Sequence, residues 1–131
     1  MSAATALARG RAAAERLMVD QCVVRRVTGT VTDPDTGVVT PTYATVYEGR
    51  CRVQQQQVQA RATDAGEAAL LMLRLEVHLP MTVTGIAAGD EVIITASAHD
   101  LDLVGRVFVV RELAHKSHAT ARRLGVEERT S

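Results

Sequence analysis

The chain is nearly without aromatic side chains: among 131 residues there are one Phe, two Tyr and no Trp. Sites that read single-stranded nucleic acid stack bases on aromatic platforms, and this chain has too few to build one. Any core must be made of Val, Leu, Ile and Ala, which the 47% hydrophobic content can supply. Net charge is missing too, since fifteen basic and fifteen acidic residues cancel. A DNA-binding domain carries a basic footprint, so the balance argues against that class. The charge is divided along the chain, however. Residues 1–61 carry eight Arg against five acids, +3, and residues 62–131 carry seven bases against ten acids, −3. That division suits subunits that meet head to tail.

Cysteine is scarce. Cys22 and Cys51 lie in separate apolar runs, without CxxC spacing or partners for a zinc site, and read as buried small hydrophobes. No apolar run is long enough to cross a bilayer, and no signal-peptide pattern opens the chain. The expectation is a protein made in a cytoplasm, with reduced thiols and no membrane partner. The length suits a single domain over 1–131.

What the chain does have is alternation. From Leu71 the odd positions Leu71, Leu73, Leu75, Val77 and Leu79 are apolar, while Met72, Arg74, Glu76 and His78 take the even ones. This period of two marks a strand with one face in a core, and Pro80 closes it. Cys22 to Thr32 reads as another strand. Asp33-Pro34-Asp35-Thr36-Gly37 is turn chemistry, with proline pre-setting φ and Gly37 taking positive φ. Val38 to Glu48 returns as a strand interrupted by Pro41, which belongs at a sheet edge. The Asp-x-Asp-x-Gly fragment lacks the bidentate Glu of a calcium loop.

Gly49 should break the chain before a short strand, Cys51 to Gln54. Gln54 to Gly66 is polar and nearly without bulky apolar groups, which predicts a long loop over 54–68. Val92 to Ser97, Val107 to Leu113 and Arg122 to Glu128 complete the strands. In the second of these, Val107, Val109 and Leu113 should share one face, and Phe108 and Val110 the other. Ala3 to Met18 is rich in helix formers, although Gly10 weakens it, and its thin apolar stripe needs a surface to dock on. The organisation expected is a helix over 1–19 followed by a barrel over 21–128. The fold class is mainly β: a small antiparallel barrel or sandwich of about six or seven strands with one N-terminal helix and a long polar loop.

No catalytic set emerges. Ser97, His99 and Asp100 are neighbours in sequence without a nucleophile elbow. His115 and His118 could ligate zinc only with a third ligand brought by the fold. Glu76 between Arg74 and His78 suits an ion-pair network across strands or subunits better than acid–base work. Cofactor, metal and catalytic residues are therefore assigned to none. A small metal-dependent hydrolase using His115 and His118, and a small-barrel nucleic-acid binder, remain alternatives of other classes.

Three stretches in order carry a resemblance. The first is Val31-Thr32-Asp33-Pro34-Asp35-Thr36-Gly37-Val38-Val39 with Thr45-Val46-Tyr47-Glu48-Gly49-Arg50-Cys51-Arg52-Val53. The second is Leu75-Glu76-Val77-His78-Leu79-Pro80 with Gly89-Asp90-Glu91-Val92. The third is Leu103-Val104-Gly105-Arg106-Val107-Phe108-Val109-Val110 with His115-Lys116-Ser117-His118-Ala119-Thr120-Ala121-Arg122-Arg123-Leu124. Together they resemble a family of small head-to-tail connector proteins of actinobacterial tailed phages and prophages, similar to head-completion (stopper) and head-tail adaptor proteins.

The resemblance implies a virion neck protein, assembled in the host cytoplasm as a homo-oligomeric ring, six-fold by expectation. The portal or an adaptor would lie above it and a tail terminator or tail-tube protein below. Genomic double-stranded DNA would pass through without sequence-specific binding. The resemblance also implies a loop reaching into the channel, for which Gln54, Gln55, Gln56, Gln57, Gln59 and Arg61 are the candidates. Candidate interface residues are Arg74, Glu76, His78, Phe108, Arg111, Arg122 and Arg123. A tail terminator or tail-completion protein is the alternative within this class.

Overall fold

The computed structural model describes residues 2–59 and 71–129, with backbone alone at 56–59 and 71–74. Helix α1, Ala3–Arg16, is followed by six strands. These are β1 Asp20–Thr32, β2 Val39–Gln59, β3 Leu71–Leu79, β4 Glu91–Ser97, β5 Val107–Ala114 and β6 Arg122–Glu128. Every pairing is antiparallel, and the order β1-β2-β3-β6-β5-β4 returns to β1, so the sheet closes into a barrel. Closure removes the free edges that an open sheet exposes.

The core is the inward half of each alternating run. Cys22, Val24, Cys51, Val77, Leu79, Val92, Ile94, Val110 and Leu124 are all fully buried there, with Leu75 packed beside them. The β3 alternation therefore holds wherever its side chains are described. Leu113 departs from expectation. A register shift between Val110 and Glu112 puts two β5 residues opposite one β6 step. This bulge reverses the facing, so Leu113 packs on the core from the same side as Phe108 and Val110.

The longest strand corrects two readings. Gly49 does not interrupt β2, which runs unbroken for 21 residues through Pro41 and Gly49. Gly49 instead makes room: a Cβ there would stand 2.6 Å from the Tyr47 hydroxyl, whose ring lies across the glycine. That hydroxyl donates a 2.8 Å hydrogen bond to the Arg50 carbonyl. Nor are Gln54 to Gln59 a loop. They form the end of β2, in register with β3 from Gln54↔Glu76 to Gln59↔Leu71. A backbone ladder needs no buried side chain, so a polar segment can be a strand when another strand is alongside. The rest of the expected loop, including Arg61, lies outside the described residues.

β2 also outruns the barrel at both ends. β4 pairs with β1 only over Asp20–Arg25, and β3 joins β2 only from Arg52 onward. Beyond those points β1 and β2 form a two-stranded ribbon that ends at the Asp33–Gly37 turn. Asp33 N–H donates to the Val38 carbonyl at 2.9 Å, and Gly37, at φ 72°, donates to the Asp33 carbonyl at 2.8 Å. Pro41 stands on this ribbon, at a sheet edge as its chemistry requires. At the other end, β6 stops pairing at Leu75, and Gln56–Gln59 continue with Leu71–Arg74 as a second ribbon.

Candidate functional site

Helix α1 lies on the outer wall of this chain's own barrel. Gly10 permits the approach, since a Cβ at that position would fall 2.9 Å from Thr120 Cγ2. Arg11 Nε donates to the Ala119 carbonyl at 3.1 Å, and Met18, just past the helix, is buried. Ser2 caps the helix by accepting from the Thr5 N–H. The glycine that weakens the helix in isolation thus lets it dock.

Between α1 and the wall runs a groove of about 380 Å³. Its floor follows from register. Arg52 is paired with His78, and His78 with Arg123, so three basic side chains form one row across β2, β3 and β6. They face outward because their neighbours Cys51, Val77, Leu79 and Leu124 face the core. Gln54 and Glu76 occupy the next row, and Glu76 Oε2 is 2.9 Å from His78 Nε2. Ala13, Ala14 and Leu17 of the helix side and Ala121 supply an apolar rim. Leu17 is 53% exposed.

The first ribbon is the second feature. All residues from Arg26 to Pro41 are exposed, including Val27, Val31, Val38 and Val39 at 50–57%. Its root, by contrast, is tied down. Asp90, 2% exposed, accepts from Arg26 Nε at 2.8 Å and Arg26 NH2 at 2.9 Å, and from the Ala87 N–H at 2.8 Å. Arg26 NH2 also donates to the Gly85 carbonyl. The hydrogen bond and charge of Asp90 raise the already high pKa of Arg26. Glu91 accepts from Arg25 at 3.2 Å and from Arg129 at 2.8 and 2.9 Å. Arg25 in turn lies 3.7 Å over the Tyr43 ring, which offsets its buried Nε having no hydrogen-bond partner. These contacts lock β1 to the β4 entrance where the ribbon leaves the barrel.

The structure treats the expected site residues unequally. His78 and Arg123 come together in the groove, joined by Arg52 and Gln54, and Glu76 reaches His78 from the next row. Phe108 is not at an interface: it is 2% exposed and fills the core, since the only Phe of the chain is its bulkiest apolar group. Arg122 holds the β3–β4 connection by donating to the Val83 and Met81 carbonyls at 3.0 and 3.1 Å. Arg111 makes an exposed 3.2 Å ion pair with Glu127. Gln55 is exposed, while Gln56, Gln57, Gln59 and Arg74 are described by backbone alone.

Ser97 Oγ donates to the buried Asp20 at 2.7 Å and accepts from the Asp100 N–H, a strand-end anchor that engages the hydroxyl. His115 and His118 are both exposed. Among the described residues no three His, Cys, Asp or Glu side chains converge to hold a metal ion. Cys22 and Cys51 are buried free thiols, and a hydrogen bond between them, together with burial, pushes the Cys51 thiol well above its usual range.

Sequence reasoning passed over the ribbon root. Asp90 and Glu91 read as a tight turn before a strand, and Arg25-Arg26 simply fall within the strand Cys22 to Thr32. The available signal was two consecutive arginines in a β-branched run with two consecutive acids elsewhere, which fixes composition but not distance.

These features define a small closed antiparallel barrel with a helix on its wall and a ribbon at either end. The chain belongs to DUF6093, a family of unknown function, which it matches over residues 10–127. No curated protein matches it. Among the described residues no helix is long and apolar enough to cross a membrane.

Proposed function

We propose that the protein is a structural subunit of a tailed-phage neck, a head-to-tail stopper that works as a homo-oligomeric ring around the DNA channel. The observation that carries this reading is that β2 outruns its barrel at both ends. A closed barrel offers neighbours no free strand edge, whereas a ribbon offers open backbone and two faces. At about 3.3 Å per residue the 21-residue strand spans up to roughly 70 Å. One subunit can therefore reach a neighbour on one side and a central channel on the other.

The glutamine ribbon suits the channel. By composition Gln54 to Gln57 and Gln59 carry neutral amides, which do not release counterions from DNA as Lys and Arg do. Packaged DNA would then meet a barrier that it can slide past when the tail attaches. The portal or an adaptor lies above the ring and a tail terminator or tail-tube protein below. The resemblance of the three sequence stretches to connector proteins supports the same placement.

Imaging of intact particles with symmetry resolved is the direct test, with this polypeptide expected at the neck between portal and tail. A position at the tail-tube end would favour the tail-terminator alternative. Replacement of Gln54–Gln57 by a Gly/Ser linker tests the gate, and DNA-filled heads should then leak their genome before tails join. Normal retention in those particles would remove the gating role.

A further inference from the structure

The ribbon and the groove are complementary, and they lie at opposite ends of the barrel section of β2. The ribbon from Val27 to Ala44 carries two acids, Asp33 and Asp35, both at its turn, and no basic residue. Its remaining surface is Thr, Gly, Pro and exposed valine, with Tyr43 and Ala44 at its root. The groove has the reverse character, with Arg52 and Arg123 flanking His78, which Glu76 engages at 2.9 Å, beneath an apolar rim of alanines and Leu17. An acidic tip backed by valines is what such a groove fits. Ion pairs would form over the row, and apolar contact along the rim.

The ribbon cannot reach the groove of its own chain. Thirteen residues of continuous strand separate Val39 at the turn from Arg52 in the row. At about 3.3 Å per residue they hold the two patches roughly 40 Å apart. The ladder from Asp20↔Cys51 to Thr32↔Val39 and the arginine–carboxylate contacts at the root keep the ribbon from folding back.

We infer that the occupant of the groove is a second copy of this chain, whose β1–β2 turn, centred on Asp33 and Asp35, docks between α1 and the row Arg52–His78–Arg123. Because the two patches differ and lie apart, the contact is heterologous, and repeating it produces a ring or a filament rather than a two-fold dimer. This rests on the neck reading only in taking closure as the outcome. It assigns that ring its subunit contact.

Two variants test the contact in the full chain. In the first, Asp33→Asn with Asp35→Arg reverses the tip while leaving an acceptor for the Asp35 N–H at position 33. In the second, Arg52→Glu with Arg123→Glu reverses the row. Circular dichroism and thermal melting confirm that each variant folds. By analytical ultracentrifugation the wild type should self-associate, and each variant alone should do so at least about tenfold more weakly, the scale of losing close interfacial charge pairs.

An equimolar mixture should recover assembly, since a basic tip then meets an acidic row and an acidic tip a basic row. Wild-type chains that stay monomeric, variants that assemble unchanged, or a mixture that does not recover would each overturn the contact. So would loss of binding to a short DNA duplex in the row variant with self-association intact, which would assign the groove to nucleic acid. Particle imaging decides the neck reading separately, because a ring elsewhere in the virion could still use this contact.

Discussion

Arg26 clamps Asp90 through two parallel hydrogen bonds, Nε to Oδ1 at 2.8 Å and NH2 to Oδ2 at 2.9 Å. Planar bidentate pairing fixes direction as well as distance, so β1 leaves the barrel at one angle. The same carboxylate accepts the Ala87 N–H, which ties the β3–β4 connection into the joint.

Asp90→Ala therefore loosens more than a surface ion pair. It strands a backbone donor and removes the charged acceptor from a site only 2% exposed. The expected loss is about 2–3 kcal/mol of unfolding free energy, the scale of hydrogen bonds to a buried charged group. Urea denaturation measures it, and amide exchange should accelerate first in the ribbon residues 26–32.

Gly10→Ala inverts a familiar rule. Alanine in a helix interior stabilises by about 1 kcal/mol over glycine when nothing else intervenes. Here the new Cβ would meet Thr120 Cγ2 at 2.9 Å, so the gain should vanish or change sign. In a Thr120→Ser background the methyl is gone and the gain should return. Thermal melting of the four proteins closes the cycle.

Phe108→Ala removes the largest side chain of an otherwise aliphatic core and should cost about 3–5 kcal/mol. If Phe108 were instead an interface residue, the isolated chain would lose almost nothing while assembly weakened. Equilibrium unfolding of the monomer separates the two.

Alkaline pH should destabilise the fold through a half-buried tyrosine and a buried thiol. Burial, the largest cause, raises Tyr47 from 10.0 to about 12. The unfolded chain thus releases this proton from about pH 10, while the native chain holds it until about 12. Its contribution is complete below 10 and declines through that window. The Cys51 thiol, raised above 9.0 by the Cys22 hydrogen bond and by burial, adds a decline that begins near pH 9. Tyr47→Phe should flatten the stability curve between 10 and 12, and absorbance at 295 nm should show one late-titrating tyrosine in the wild type alone.

The limits of sequence reading are visible in particular strands. Val77 and Leu79 could be placed inward from alternation, because a one-residue slip would turn Glu76 and His78 into the apolar barrel interior. Leu113 could not, because a bulge depends on two strands of unequal count meeting. Gln54 to Gln59 read as loop because composition reports what can be buried. It does not report whether another strand will run alongside. Alternation puts Phe108 and Val110 on one face, and only closure of the sheet makes that face the inside rather than an interface.

Local chemistry, then, determined which apolar runs become strands, the turn at Asp33–Gly37, the helix and the aliphatic nature of the core, since each depends on neighbours within a few residues. Tertiary structure decided that six strands close on themselves, that β2 outruns the barrel at both ends, and that Arg52, His78 and Arg123 form one row. Those follow from register between strands far apart in the chain, which is set by the pairing of whole ladders and by no single segment.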